Sequence, residues 1–188
     1  VTVTKDVIDV ESVTSKDISD NIKYVRISRF DDTTDEDFKD KLNELKLDEN
    51  TNLIIDLRDN PGGDLDVVIR MCDKFLDKGV IVYTKDNRGK CEYYNSDEAA
   101  EKLPIVLLVN GNTASAAEIF TGALKERGVA TVVGTQTFGK GIVQSVRQLR
   151  DGSGIKLTES EYYLPNDKCI HGVGITPDVE IALDKEKY

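Results

Sequence analysis

Three short stretches hold the residue types that a covalent hydrolytic reaction needs. Ser115 stands between the aliphatic run Ile105–Val109 and an apolar helical run beginning at Ala116. At a helix N-terminus, unpaired N–H groups and the helix dipole favour the negative charge that develops during nucleophilic attack. Ala114, Ala116 and Ala117 are small enough to leave room for a substrate backbone. Serine is also a common helix N-cap, so position alone fits either role.

A serine nucleophile needs a base. In "GTQTFGKGIVQ", Lys140 lies between Gly139 and Gly141, where the backbone can pass close to a ligand. A lysine accepts a proton only in its neutral form, which an apolar pocket favours. In an extended segment Lys140, Ile142 and Gln144 point to one side, so Gln144 can hydrogen-bond Lys140 and hold it. The competing reading is a glycine-flanked lysine on the surface. The one histidine, His171 in "CIHGVGITPD", is the other potential base. Triad members meet only in space, so spacing does not decide, although a lone loop histidine is more often structural.

The third stretch is "LIIDLRDNPGGDLD". A buried strand ends in a polar loop, then Pro61, then Gly62 and Gly63 ahead of a helix. It reads either as a tight turn or as an oxyanion hole made of glycine N–H groups at a helix N-terminus. It lacks both phosphate-loop fingerprints, G-x-x-x-x-G-K-[ST] and G-x-G-x-x-G.

The elements that carry these loops follow from periodicity. Val1–Lys5 and Ile8–Val13 are short β-like runs, and Lys23–Ser28 alternates with period two as a half-buried strand does. Thr33 and Glu36 have capping-box spacing ahead of the stripe Phe38, Leu42, Leu45. Leu53–Leu57 is apolar on both faces, which predicts a strand buried between helices. Asp64–Leu76 reads as a helix with Leu65, Val68, Ile69, Cys72 and Leu76 on one face. Strands are predicted at Gly79–Tyr83, Ile105–Val109 and Ala130–Val133, with a polar hairpin or loop over Asp86–Glu101. A third helix carries Ala116, Ile119, Phe120, Ala123 and Leu124, and Gly128 suits its C-terminus. Further β segments fall near Ile142–Val146, Ile155–Thr158 and Tyr162–Leu164. This order predicts one α/β domain over 1–188 with a largely parallel sheet. In such sheets functional loops leave the carboxyl ends of strands, which selects Arg58–Gly63 and Asn110–Ala114.

Composition narrows the function. The chain has 188 residues, 39% apolar and 32% charged, and a formal net charge of -10. The acidic balance argues against a sequence-independent nucleic-acid binder, which needs basic stripes. The longest aliphatic run is five residues, too short to span a bilayer. Cys72, Cys91 and Cys169 are isolated, with no ligand set at zinc spacing, and no cofactor is expected. The first residue is Val1, which reads as a processed or excised start.

Taken together and in order, "LIIDLRDNPGG", "LLVNGNTASAAEIFTGAL", "GTQTFGKGIVQ" and "YYLPNDKCIHGVGITPDVEI" resemble the carboxyl-terminal processing peptidases, or tail-specific proteases. The resemblance runs from about Val13 to Ile181. It implies a caseinolytic protease/crotonase-like core, with a parallel-rich sheet, flanking helices and short N-terminal β segments. It also implies a serine–lysine dyad acting on polypeptides near their C-termini or in unfolded segments. By position, Ser115 is then the nucleophile, Lys140 the general base and Gln144 the residue that orients it. The N–H groups of Gly63 and Ala116 form the oxyanion hole, with Gly62 a neighbouring alternative, and His171 is structural. Glu118 belongs to the "SAAEI" pattern without an evident chemical role. The family's peptide-binding PDZ domain is not recognisable in these residues, so an isolated protease core is expected, with homo-oligomers conceivable. An extracytoplasmic site of action, in the periplasm or cell envelope, is implied. Two other functions compete. One is a crotonase-like acyl-thioester enzyme, which the pairing of Ser115 with Lys140 disfavours. The other is a catalytically silent peptide-binding module.

Overall fold

The computed structural model describes residues 11–97 and 102–182. In chain order the elements are β1 (Val13–Ser19), β2 (Ile22–Ile27), α1 (Thr34–Leu45), β3 (Asn52–Asp56), α2 (Leu65–Asp73), β4 (Gly79–Asp86), β5 (Cys91–Ser96), β6 (Ile105–Val109), α3 (Ala116–Glu126), β7 (Ala130–Gly134), β8 (Ile142–Gln148), β9 (Gly154–Tyr163) and β10 (Val179–Glu180). One sheet has the order β1-β2-β3-β6-β7-β10. All its neighbours run parallel except the β1–β2 pair. The expected parallel-rich α/β architecture is therefore present. Of the two N-terminal β-like runs, Val13 opens β1, and residues 1–10 lie outside the described residues.

Each parallel strand directs one side to the helices. Leu53 and Ile55 of β3, Leu107 of β6 and Val132 of β7 are buried in the main core. Ile54, Val106, Leu108 and Val133, which alternate with them, are only half-buried. The strand expected to be buried between helices is thus closed fully on one face and only partly on the other. Its apolar run reflects one closed face and one partly open one.

The helices form by the predicted stripes. Phe38, Leu42 and Leu45 of α1 are buried, and Phe38 packs edge-on to Phe75 at 6.1 Å. In α3, Ile119, Phe120, Ala123 and Leu124 have no exposed surface. Burying a side chain as large as Ile, Leu or Phe stabilises the fold by roughly 1.5–3 kcal/mol. The capping box expected at Thr33 and Glu36 does not form. Thr33 has φ -102 and ψ -6, not the extended backbone of a capping residue, and its side chain makes no cap hydrogen bond. Thr34 takes over the local work: its hydroxyl accepts the Asp31 N–H at 2.8 Å and meets Ser12 Oγ at 2.8 Å. At α2 the cap is ordinary, with Asp64 accepting the Val67 N–H at 3.1 Å.

The sequence pattern did not disclose a second sheet. β5-β4-β9-β8 is four-stranded and antiparallel throughout. The segments predicted at Ile155–Thr158 and Tyr162–Leu164 merge into one long strand, β9, whose exposed outer half carries too few apolar residues to announce itself. Ile81, Val82 and Tyr162 bring this sheet into the same core as α2 and α3. Among the described residues, no helix is long and apolar enough to cross a membrane.

A charged cluster closes the end of β3. Asp56 is fully buried and accepts from Tyr24 Oη at 2.7 Å, from Arg58 Nη2 at 2.6 Å and from Arg26 Nη1 at 3.3 Å. Burial opposes its charge, but the bonds from Arg58 and Tyr24 outweigh burial and hold the carboxyl below its usual range. A depressed folded-state pKa stabilises the fold above the unfolded value of about 3.9, and that contribution is lost as pH falls through the folded value. Asp56→Asn should therefore cost about 3 kcal/mol at pH 7, the low end for a broken buried pair because both arginines keep a solvent-facing side. The deficit should shrink in acid. Urea melts of both proteins at pH 7 and at about pH 3 check this, and a constant deficit would contradict it.

Candidate active site

The three chemically suggestive stretches leave the carboxyl ends of neighbouring strands in the middle of the parallel sheet. Asp56 at the end of β3 is registered with Leu108 of β6, and Val109 at the end of β6 with Gly134 of β7. The glycine loop follows β3, the Ser115 loop follows β6 and the Lys140 stretch follows β7. Parallel pairing of adjacent strands thus brings together residues far apart in sequence.

Ser115 occupies a strained strand-to-helix turn. Its φ of 56 and ψ of -122 match the first central position of a type II′ turn, where glycine is favoured. The Ala117 N–H donates to the Ala114 carbonyl at 3.1 Å and closes that turn. A non-glycine residue in such a region costs of order 1–3 kcal/mol and persists only where its surroundings fix it. Here the Ser115 N–H donates to Glu118 Oε2 at 2.9 Å, while its carbonyl accepts from the Glu118 N–H at 2.8 Å.

The glycine loop is stitched to the Ser115 loop. Asp59 Oδ1 accepts from Asn112 Nδ2 at 2.8 Å and Asn110 Nδ2 at 2.9 Å, and these donors hold its carboxyl below the usual range. The Ala114 N–H donates to the Asn60 carbonyl at 2.9 Å, and the Thr113 hydroxyl to the Leu57 carbonyl at 2.8 Å. The two glycines divide their duties. The Gly62 N–H is taken by Asn60 Oδ1 at 2.8 Å. Gly63 bridges Phe30 in parallel register, a bridge built from the Gly62 carbonyl and the Asp64 N–H, so the Gly63 amide faces away from Phe30. A Cβ on Gly62 would sit 2.8 Å from Ser115 Cβ, so this glycine forms the floor under the serine.

Gly63→Ala tests how tightly that loop is fixed. The new Cβ would lie 2.0 Å from the Phe30 carbonyl oxygen, with φ at +148. Both groups are backbone, so no rotamer change relieves the clash. A loss of about 3 kcal/mol or more is expected. Gly128→Ala provides the control: its φ is +71, but nothing lies within 4 Å of its added Cβ. It should cost only about 1 kcal/mol. Thermal melts of the two variants compare them directly, and equal losses would argue against the close approach.

The Lys140 stretch is held by its backbone. The Phe138 N–H donates to the Thr113 carbonyl at 3.0 Å, and the Gly139 carbonyl accepts the Gly172 N–H at 2.9 Å. Glycine is needed at 139 and 141 because the loop around His171 passes against them: an added Cβ would meet Gly174 N at 3.0 Å and His171 N at 2.5 Å. Lys140 is half-buried and His171 exposed. Gln144 Nε2 donates to Thr158 Oγ1 across to β9 at 3.3 Å.

Sequence reasoning left Glu118 without a role, yet it is a hub. It is fully buried on α3. Besides the Ser115 N–H it accepts the Lys140 N–H at 2.8 Å, the Gly139 N–H at 2.7 Å and the Thr137 hydroxyl at 2.5 Å. The available signal was its place three residues after Ser115, the spacing at which a carboxylate reaches back to an N-cap amide.

Comparison with known proteins identifies the family of the chain. Residues 21–181 match peptidase family S41. A probable CtpA-like serine protease of Staphylococcus epidermidis is 40% identical over 185 residues, covering 96% of this chain and 38% of that protein. A carboxy-terminal-processing protease of Bartonella bacilliformis is 37% identical over 195 residues, covering 99% of this chain and 44% of that protein. Among solved structures, a photosystem II D1 C-terminal processing protease superimposes with a TM-score of 0.85 at 30% identity, covering 93% of this chain and 49% of that one. The chain thus spans less than half the length of each of these relatives. With the family matched across most of its residues, the chain belongs to peptidase family S41.

Proposed function

We propose that this chain is the catalytic portion of a serine endopeptidase that works through a Ser115–Lys140 dyad and cleaves polypeptides near their C-termini or in unfolded segments. The observation that carries the reading is the sharing of Glu118 Oε2 by the Ser115 and Lys140 amides, which fixes the two backbones beside each other. In the reaction, Ser115 Oγ attacks the scissile carbonyl carbon while its proton passes to the neutral Lys140 amine. The tetrahedral oxyanion is met by the N–H groups of Gly63 and Ala116. Gly62 is the weaker candidate because its amide is already bound by Asn60. Collapse expels the amine of the departing peptide, which takes the proton from Lys140. Water then hydrolyses the acyl-serine by the reverse transfer. Gln144 orients Lys140 through its amide oxygen, since its amide nitrogen is engaged with Thr158.

The substrate class is drawn from the similarity to a carboxy-terminal-processing protease, and the extracytoplasmic site of action from the family resemblance of the sequence motifs. If the chain is part of a longer protein, a PDZ domain there would capture the substrate tail and raise its effective concentration near Ser115. The test is labelling with a fluorophosphonate probe followed by mass spectrometry of the adduct. An adduct on Ser115 is expected. Its absence, with the protein folded, would favour a silent peptide-binding module or an acyl-thioester enzyme that needs no covalent serine.

A further inference from the structure

Glu118 makes more bonds than a helix start needs. A reach back to an N-cap amide uses one oxygen and one donor. Here Oε2 serves two amides, Ser115 and Lys140, while Oε1 serves the Gly139 amide and the Thr137 hydroxyl. The direction of the hydroxyl is fixed. Thr137 Oγ1 accepts the Ile175 N–H at 2.7 Å, so its single proton points to Glu118. The Thr137 N–H in turn donates to the Ile175 carbonyl at 3.1 Å. One side chain on a buried helix therefore ties together the Ser115 turn, the Lys140 stretch and, through Thr137, the loop after His171. Among the described residues Glu118 makes no ion pair, so its charge is met by N–H and O–H dipoles alone. A buried carboxylate is expensive to desolvate. Stability of the helix start alone could be had from a solvent-facing cap.

Resting on the dyad reading above, we propose that Glu118 is a positioning residue that sets the spacing of the Ser115 and Lys140 backbones, with Thr137 as its hydroxyl partner. Glu118→Gln keeps the size and one acceptor oxygen, but its NH₂ must face donors at the other. The serine turn and the lysine stretch then separate. Misplacement by about 1 Å costs on the order of 100-fold in rate. Thr137→Val keeps the shape and the carboxylate but removes the hydroxyl, and should give a smaller fall in the same direction. Thr137→Ser should restore the rate.

The experiment measures the second-order rate of fluorophosphonate labelling at Ser115, and kcat and KM on an unstructured protein, well below each variant's melting temperature. Slower labelling and lower kcat at unchanged KM, with recovery in Thr137→Ser, supports the proposal. A purely structural glutamate would lower the melting temperature and leave the labelling rate of the folded protein intact, and that result overturns it. If Glu118→Gln does not fold, Thr137→Val decides by the same rates. If the parent chain itself is not labelled while folded, the dyad reading fails and this inference falls with it. That outcome is distinct, because it appears before any substitution at 118 or 137.

Discussion

Ser115→Ala is expected to remove peptidase activity while leaving the fold intact. The substitution deletes the attacking oxygen and nothing that packs: Ala114 and Ala116 already line the turn with methyl groups, and Gly62 closes it from below. Removing a nucleophile costs several orders of magnitude in rate, because the remaining catalysis is only what binding and the oxyanion donors supply. If Ser115 were only a cap, the picture would invert. Activity would survive and stability would fall by about 1 kcal/mol. Turnover of an unstructured protein and a thermal melt, run side by side, separate the two roles. Undiminished cleavage would rule out Ser115 as the nucleophile.

Lys140→Arg should be comparably inactive although it keeps a long basic side chain at position 140. Guanidinium does not give up its proton under assay conditions, so it cannot receive the serine proton. The backbone contacts of residue 140 are untouched by the change, since its amide, not its side chain, binds Glu118. Loss of activity without loss of stability is therefore expected. Residues that act as one unit are not additive, so the double variant with Ser115→Ala should be no slower than Ser115→Ala alone. A double variant slower than either single one would mean that Lys140 acts outside the dyad. Retained activity in Lys140→Arg, abolished instead by His171→Ala, would move the base to the histidine.

The parallel sheet and its loops were legible because each signal was local. Val25, Ile27, Leu53, Ile55 and Leu107 alternate or cluster as strands must, and α2 and α3 carry clear stripes. The rule that loops at strand carboxyl ends carry function then pointed to the glycine and serine loops directly. What stayed hidden depends on partners distant in sequence. The antiparallel sheet depends on pairings such as Tyr83 with Tyr163, and its exposed strands lack a strong apolar period. Thr33 has the right spacing to cap α1, but its backbone turned the other way and Thr34 took the contacts. That the Asn60 side chain takes the Gly62 amide is a contact no glycine pattern reveals. Glu118 is the plainest case. Three of its four donors come from residues nineteen to twenty-two positions away, two of them backbone amides whose residue type carries no signal.

The turn at Ser115 has a consequence for how such a sequence drifts over generations. At φ 56 and ψ -122 the backbone itself would accept glycine more readily than any residue with a Cβ. Purifying selection for a folded chain would then not retain the serine, and relaxed selection would let it go while the helix, the glycine loop and Glu118 persisted. A lineage that no longer needed the reaction would keep the scaffold and lose the hydroxyl first. On the proposed dyad reading, the oxygen at position 115 is the part of this site that chemistry would maintain against the preference of its own backbone.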